Sequence, residues 1–122
     1  MTEFEAHLKA NHDRFESDLF EWLRIPSIGT DSAYDQQVRQ TADWLAEKFR
    51  GLELDTEIIE TCGHPLVYAE SPKVRDAPTV LIYGHYDVQP PDPLELWETP
   101  PFEPTVRDGK VFARGRRTIK AK

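Results

Sequence analysis

Cysteine is almost absent. Cys62 stands alone among 122 residues, which rules out an internal disulfide framework and is compatible with a reducing cytosol. Long apolar runs are missing too: the amino terminus, Met1-Thr2-Glu3-Phe4-Glu5, is acidic without the apolar core of a signal peptide, and no stretch is long enough to span a bilayer. Cytoplasmic residence is the expectation that follows. Positive charge is also scarce, with 15 Lys and Arg against 22 Asp and Glu for a net −7, which argues against nucleic acid and anionic membrane as partners. The deficit is uneven. Residues 1–115 carry all 22 acidic groups and 11 basic ones, whereas the last seven hold four basic groups and no acid. No internal repeat is found, and the length allows one modest domain.

Local structure can be read in order. Thr2 and Glu5 form a capping-box pattern ahead of an apolar stripe at Phe4, Leu8, Phe15, Leu19, Trp22 and Leu23, which predicts one long amphipathic helix ended by Pro26. His7 and His12 fall among its charged residues, on a solvated face. After a polar loop, in which Asp31 or Ser32 is the cap candidate, Val38, Ala42, Leu45, Phe49 and Leu52 recur at helical spacing as a core stripe against a sheet. Gly51 near the end of that helix is the candidate for a left-handed cap. Residues 54–60 alternate as a strand with one wet face, and residues 65–70 read as a second strand to pair with it. Between them Cys62-Gly63-His64-Pro65 reads as a turn, with a metal or catalytic role for the Cys62 and His64 pair the lesser alternative. Residues 89–104 are rich in proline yet contain Trp97 and Phe102, which predicts an ordered loop rather than a linker. Read from the residues alone, Trp97 packs beneath that loop. Asp108-Gly109, between Thr105-Val106-Arg107 and Lys110-Val111-Phe112, predicts a hairpin that presents Gly115 close to His85.

The chain is organised around Thr79-Val80-Leu81-Ile82-Tyr83-Gly84-His85-Tyr86-Asp87. Residues 79–83 read as a buried strand ending at Gly84. In extended backbone, residues two apart point the same way, so His85 and Asp87 can reach one pocket at the strand's carboxyl end, where open α/β sheets place their chemistry. A neutral imidazole is the commonest metal ligand, and a carboxylate on its other nitrogen sets tautomer and orientation. Alone, the triplet also describes a hydrogen-bonded surface histidine beside a turn aspartate.

The wider string, Ile82-Tyr83-Gly84-His85-Tyr86-Asp87-Val88-Gln89-Pro90 followed by Trp97, Pro101-Phe102 and Asp108-Gly109-Lys110-Val111-Phe112-Ala113-Arg114-Gly115, resembles the dizinc metallopeptidase family of carnosinase-like dipeptidases, aminoacylase and succinyl-diaminopimelate desuccinylase. Leu23-Arg24-Ile25-Pro26-Ser27-Ile28 resembles its first helix-to-loop junction, and the resemblance implies that the loop bearing Trp97 helps wall the active-site cleft. The resemblance implies an α/β fold: the N-terminal portion of a zinc-peptidase catalytic domain across residues 1–115, two helices followed by a mixed sheet and a β-hairpin. It implies that His85 is a ligand of one of two zinc ions, and that Asp87 is the catalytic-site aspartate that orients it. It further implies a homodimeric parent enzyme that hydrolyses the amide bond of a dipeptide or an N-acyl amino acid.

The chain departs from the family after Gly115. There the family pattern runs Ala-Ser-Asp-Asp-Lys-Gly, its first aspartate bridging both metals, but here Arg116-Arg117-Thr118-Ile119-Lys120-Ala121-Lys122 follows. Deleting one base from codons for Ala-Ser-Asp-Asp-Lys-Gly-Gln yields those seven residues. The expectation is therefore an N-terminal fragment, frameshifted after Gly115, with 116–122 a basic tail foreign to the family; re-sequencing the gene tests it, and a downstream frame unlike the family would end it. Lacking most of the metal site, such a fragment is expected to bind zinc weakly and to be inactive. Two other readings remain: a binding or regulatory fragment associating with a full-length relative, which co-purification would favour, and an unrelated α/β module.

Overall fold

The computed structural model describes residues 1–115; the basic tail at 116–122 lies outside them. Three helices and two antiparallel strand pairs follow in the order α1 (Glu3–Ala10), α2 (His12–Leu23), α3 (Asp35–Gly51), β1 (Asp55–Ile59), β2 (Leu66–Glu70), β3 (Thr105–Arg107) and β4 (Lys110–Phe112). The α/β character and the closing hairpin agree with the sequence. At the amino terminus the capping box is formed, with Glu5 N donating to Thr2 Oγ1 at 3.2 Å and Thr2 N donating to Glu5 Oε2 at 2.7 Å.

The single helix expected between Thr2 and Pro26 is two. Asn11 leaves the helical region at φ −110°, and its Nδ2 donates to His7 O at 2.9 Å, a carbonyl its own backbone N–H also reaches at 3.1 Å. A short polar side chain that competes for the backbone in this way interrupts a helix. The apolar stripe is buried only at its far end: Leu23 is 7% exposed, whereas Phe4 is 69% exposed.

The core lies beneath α3. Val38, Thr41, Ala42 and Ala46 are buried along one face, which packs on β1 and β2. The strands pair in register Thr56 with Ala69 and Ile58 with Val67, and these half-buried residues alternate with exposed ones. That is the one-wet-face pattern expected of them. Leu52, counted in the stripe, is exposed.

The left-handed residue that ends α3 is Glu53, at φ 60°, and Gly51 remains helical. Leu54 N donates to Phe49 O and Glu53 N to Arg50 O, the paired bonds of a Schellman ending. A residue with a Cβ pays roughly 1–2 kcal/mol in that conformation. Glu53→Gly is therefore expected to stabilise the chain by about 1 kcal/mol, read as a higher urea midpoint at unchanged slope; a lower midpoint would contradict the assignment.

The buried strand expected at residues 79–83 is not formed. No ladder includes it among the described residues, and Val80, Leu81, Ile82 and Tyr83 are 78–90% exposed. β-propensity without a neighbouring strand leaves backbone donors and acceptors to solvent. The expected mixed sheet is accordingly represented by two separate antiparallel pairs, β1 with β2 and β3 with β4, and one isolated parallel bridge, Ile28 with Val88.

Candidate functional site

His85 and Asp87 face the same way. His85 Nδ1 lies 3.0 Å from Asp87 Oδ1 and 3.1 Å from Asp87 O, and both side chains are partly open to solvent, at 51% and 41%. With two acceptors at Nδ1, the neutral ring carries its proton there and turns the Nε2 lone pair outward. That is the donor state a metal requires.

The pair, partly open to solvent, sits at a cleft of about 380 Å³ that Trp22, Leu23, Val88, Lys110 and Arg114 also line. The β3–β4 hairpin turns through Asp108 and Gly109, both left-handed at φ 50° and 69°, which is the two-residue turn the Asp-Gly pair favours. It brings Arg114 across: the Arg114 backbone N–H donates to Pro101 O and its Nε donates to Gln89 O at 2.8 Å. Gly115 lines the same cleft as His85, as expected; it is left-handed at φ 92°, and a Cβ there would lie 3.1 Å from Val88 Cγ1. Trp97 packs within its own loop, its Nε1 donating to Pro91 O at 2.7 Å, and does not line the cleft.

A second layer holds the site from behind. Val88 N donates to Ser27 O at 2.8 Å, Gly29 N to Val88 O at 3.3 Å, and Ser27 Oγ to Tyr86 O at 2.9 Å. Tyr86 OH donates to Pro65 O, and burial, with the Asp87 charge second, pushes its phenol above the ordinary value. His64 Nε2 lies 2.7 Å from Gly29 O. Cys62 is exposed, and His64 Nε2 donates to the Gly29 carbonyl. None of these partners carries a local motif, and in the sequence only the Leu23 to Ile28 string points to this junction.

Among the described residues no three His, Cys, Asp or Glu side chains gather as a metal-holding group. His85 thus fits as one ligand, and this chain's described part does not complete a zinc set of three or four. His7 and His12 are exposed on their helices. No helix among the described residues is long and apolar enough to cross a membrane.

The chain is similar to known proteins. The sequence pattern of peptidase family M20/M25/M40 matches residues 81–121. A succinyl-diaminopimelate desuccinylase of Aromatoleum aromaticum is 52% identical over 78 residues, 64% of this chain and 20% of that protein. A cysteinylglycine-S-conjugate dipeptidase of Corynebacterium striatum is 30% identical over 116 residues, 93% of this chain and 25% of that protein. The crystal structure of human carnosine dipeptidase 1 superposes with a TM-score of 0.85 at 26% identity, over 93% of this chain and 26% of that one. The chain spans a quarter or less of the two curated relatives' length and 26% of the solved chain.

Proposed function

The chain belongs to peptidase family M20/M25/M40, and from that premise we propose that it carries one arm of a metal site for amide hydrolysis. In this reading His85 Nε2 is a zinc ligand and Asp87 orients the ring. The observation that carries it is the 3.0 Å contact from Nδ1 to Asp87 Oδ1 at an apolar cleft. Bound zinc would lower the pKa of a water and polarise an amide carbonyl; what this chain supplies is an imidazole held in its metal-binding tautomer and an apolar wall. The parent protein, in the same reading, is a homodimer that holds two zinc ions and cleaves dipeptides or N-acyl amino acids. The 122-residue chain alone offers too few ligands for that.

Zinc titration followed by ¹⁵N NMR of the histidine rings tests the reading. His85 Nε2 is expected to shift at lower zinc concentration than the rings of His7 and His12, because its tautomer is already set. Asp87→Asn should weaken this by about tenfold, the low end of the usual effect of removing such a partner, and no dipeptide turnover should appear. A His85 ring indifferent to zinc would refute the ligand assignment; turnover with stoichiometric zinc would refute the inactivity.

A further inference from the structure

We propose that Gly29 and His64 are positioning residues for the His85–Asp87 pair: Gly29 leaves the space in which the Asp87 carboxylate lies, and His64 fixes the Gly29 backbone from the other side. For its consequence this rests on the ligand reading above, although its geometry does not.

Gly29 has no left-handed backbone to explain it. What it provides is room. A Cβ built there would fall 2.5 Å from Asp87 Oδ2, 2.9 Å from Asp87 Cβ and 3.1 Å from Asp87 Cγ, well inside van der Waals contact. The carboxylate is thus sandwiched, with Oδ2 against Gly29 and Oδ1 on the His85 ring. Any side chain at position 29 displaces the Asp87 side chain or the backbone segment that bears it, and the carboxylate's bond to Nδ1 goes with either.

The wall that Gly29 forms is itself braced. Its carbonyl accepts from His64 Nε2 at 2.7 Å, so His64 carries its proton on Nε2, and its N–H donates to Val88 O. His64 is held in turn by the β1–β2 turn, where Thr61 Oγ1 donates to His64 O at 2.7 Å and accepts from Gly63 N at 3.0 Å. Tyr86 OH, donating to Pro65 O, fastens the same turn to the residue between His85 and Asp87. One histidine therefore points the other through three links: His64 to the Gly29 backbone, Gly29 to Asp87, Asp87 to His85. The hairpin turn at 61–65 buttresses a site that none of its side chains enters.

The test reads the His85 tautomer by ¹⁵N–¹H correlation of the ring in the metal-free 122-residue chain, at about pH 8, where imidazoles are neutral. The unsubstituted chain should show protonated Nδ1 and bare Nε2. Gly29→Ala is expected to abolish the carboxylate-bonded Nδ1–H signal and to raise the share of the Nε2–H tautomer, with the Asp87 carbonyl as the acceptor left to Nδ1. His64→Phe, which removes the donor to Gly29 O, should weaken that signal, and His64→Gln, which keeps an N–H donor, should restore it. A merely structural role would lower stability in these variants without moving the tautomer. If Gly29→Ala fails to fold, adding Asp87→Gly removes the atoms that the new methyl meets, and recovery of the fold would support the contact. A folded Gly29→Ala with an unchanged His85 ring overturns the proposal, as does failure of the double variant to recover. Zinc plays no part in these outcomes, so a ring held as proposed but indifferent to zinc would sink the ligand reading and leave the positioning intact.

Discussion

Val38→Asp is expected to abolish cooperative folding at neutral pH. Val38 is fully buried on the face of α3 that packs on β1 and β2, one turn before Thr41 and Ala42, which are equally buried. Thr41 already has its hydroxyl bond, donating to Gln37 O at 2.9 Å, and offers no obvious second donor. An unpaired buried carboxylate costs several kcal/mol even after relaxation. Whole domains are stable by only about 5–15 kcal/mol, and the buried aliphatic residues among the described ones are Leu23, Ile28, Val38, Ala42, Ala46 and Ala113, so such a core has little to spare. Removing atoms is milder: Val38→Ala gives up two carbons and opens a small cavity, about 1–3 kcal/mol. Urea melts followed by circular dichroism should show Val38→Ala with a lowered midpoint and Val38→Asp with no transition. Gln36→Asp is the control, since Gln36 is exposed in the first turn of the same helix, where an acid is tolerated or favoured. A cooperative melt for Val38→Asp would mean that α3 does not hold the core.

The features legible from sequence are those that close within a few residues. Thr2 and Glu5 sit three apart and cap one another; Asp108-Gly109 forms its turn from its own backbone preferences; period-of-two spacing alone puts His85 and Asp87 on one side. What could not be read depends on partners far along the chain. The bridge between Ile28 and Val88 joins residues 60 apart, and nothing local in Ser27-Ile28-Gly29 says that it lies against Asp87. Glycine at position 29 looks like an ordinary loop residue until the carboxylate occupying its missing side chain is seen. The break at Asn11 and the cap at Glu53 escape pattern reading for a different reason. In both places a polar or charged residue takes a conformation that pattern reading assigns to glycine or leaves helical, and the hydrogen bonds around it decide the outcome.

The largest departure from the sequence pattern, the bare segment at residues 79–83, has a consequence in solution: the chain is expected to self-associate, and one lysine there is expected to suppress it. Val80, Leu81, Ile82 and Tyr83 are 78–90% exposed, and residues 78–84 contain no charge. A stretch of high β-propensity with unpaired backbone groups is a template for edge-to-edge pairing. Opposing this is the chain's net charge of −7, 22 acidic against 15 basic residues, which repels a second copy at low salt and is screened to within about 8 Å at physiological ionic strength. Association should therefore rise with added salt, contrary to an attraction between charges. Light scattering at about 100 μM in low and physiological salt reads both effects. Ile82→Lys should hold the chain monomeric in either. Leu81→Lys then separates two causes, because residues 81 and 82 point to opposite sides of an extended segment. Backbone pairing is blocked by a lysine on either side, whereas burial of one apolar face is blocked from one side only. A chain that stays monomeric in both salts without substitution would show that exposed β-propensity at 79–83 is too weak to overcome the repulsion.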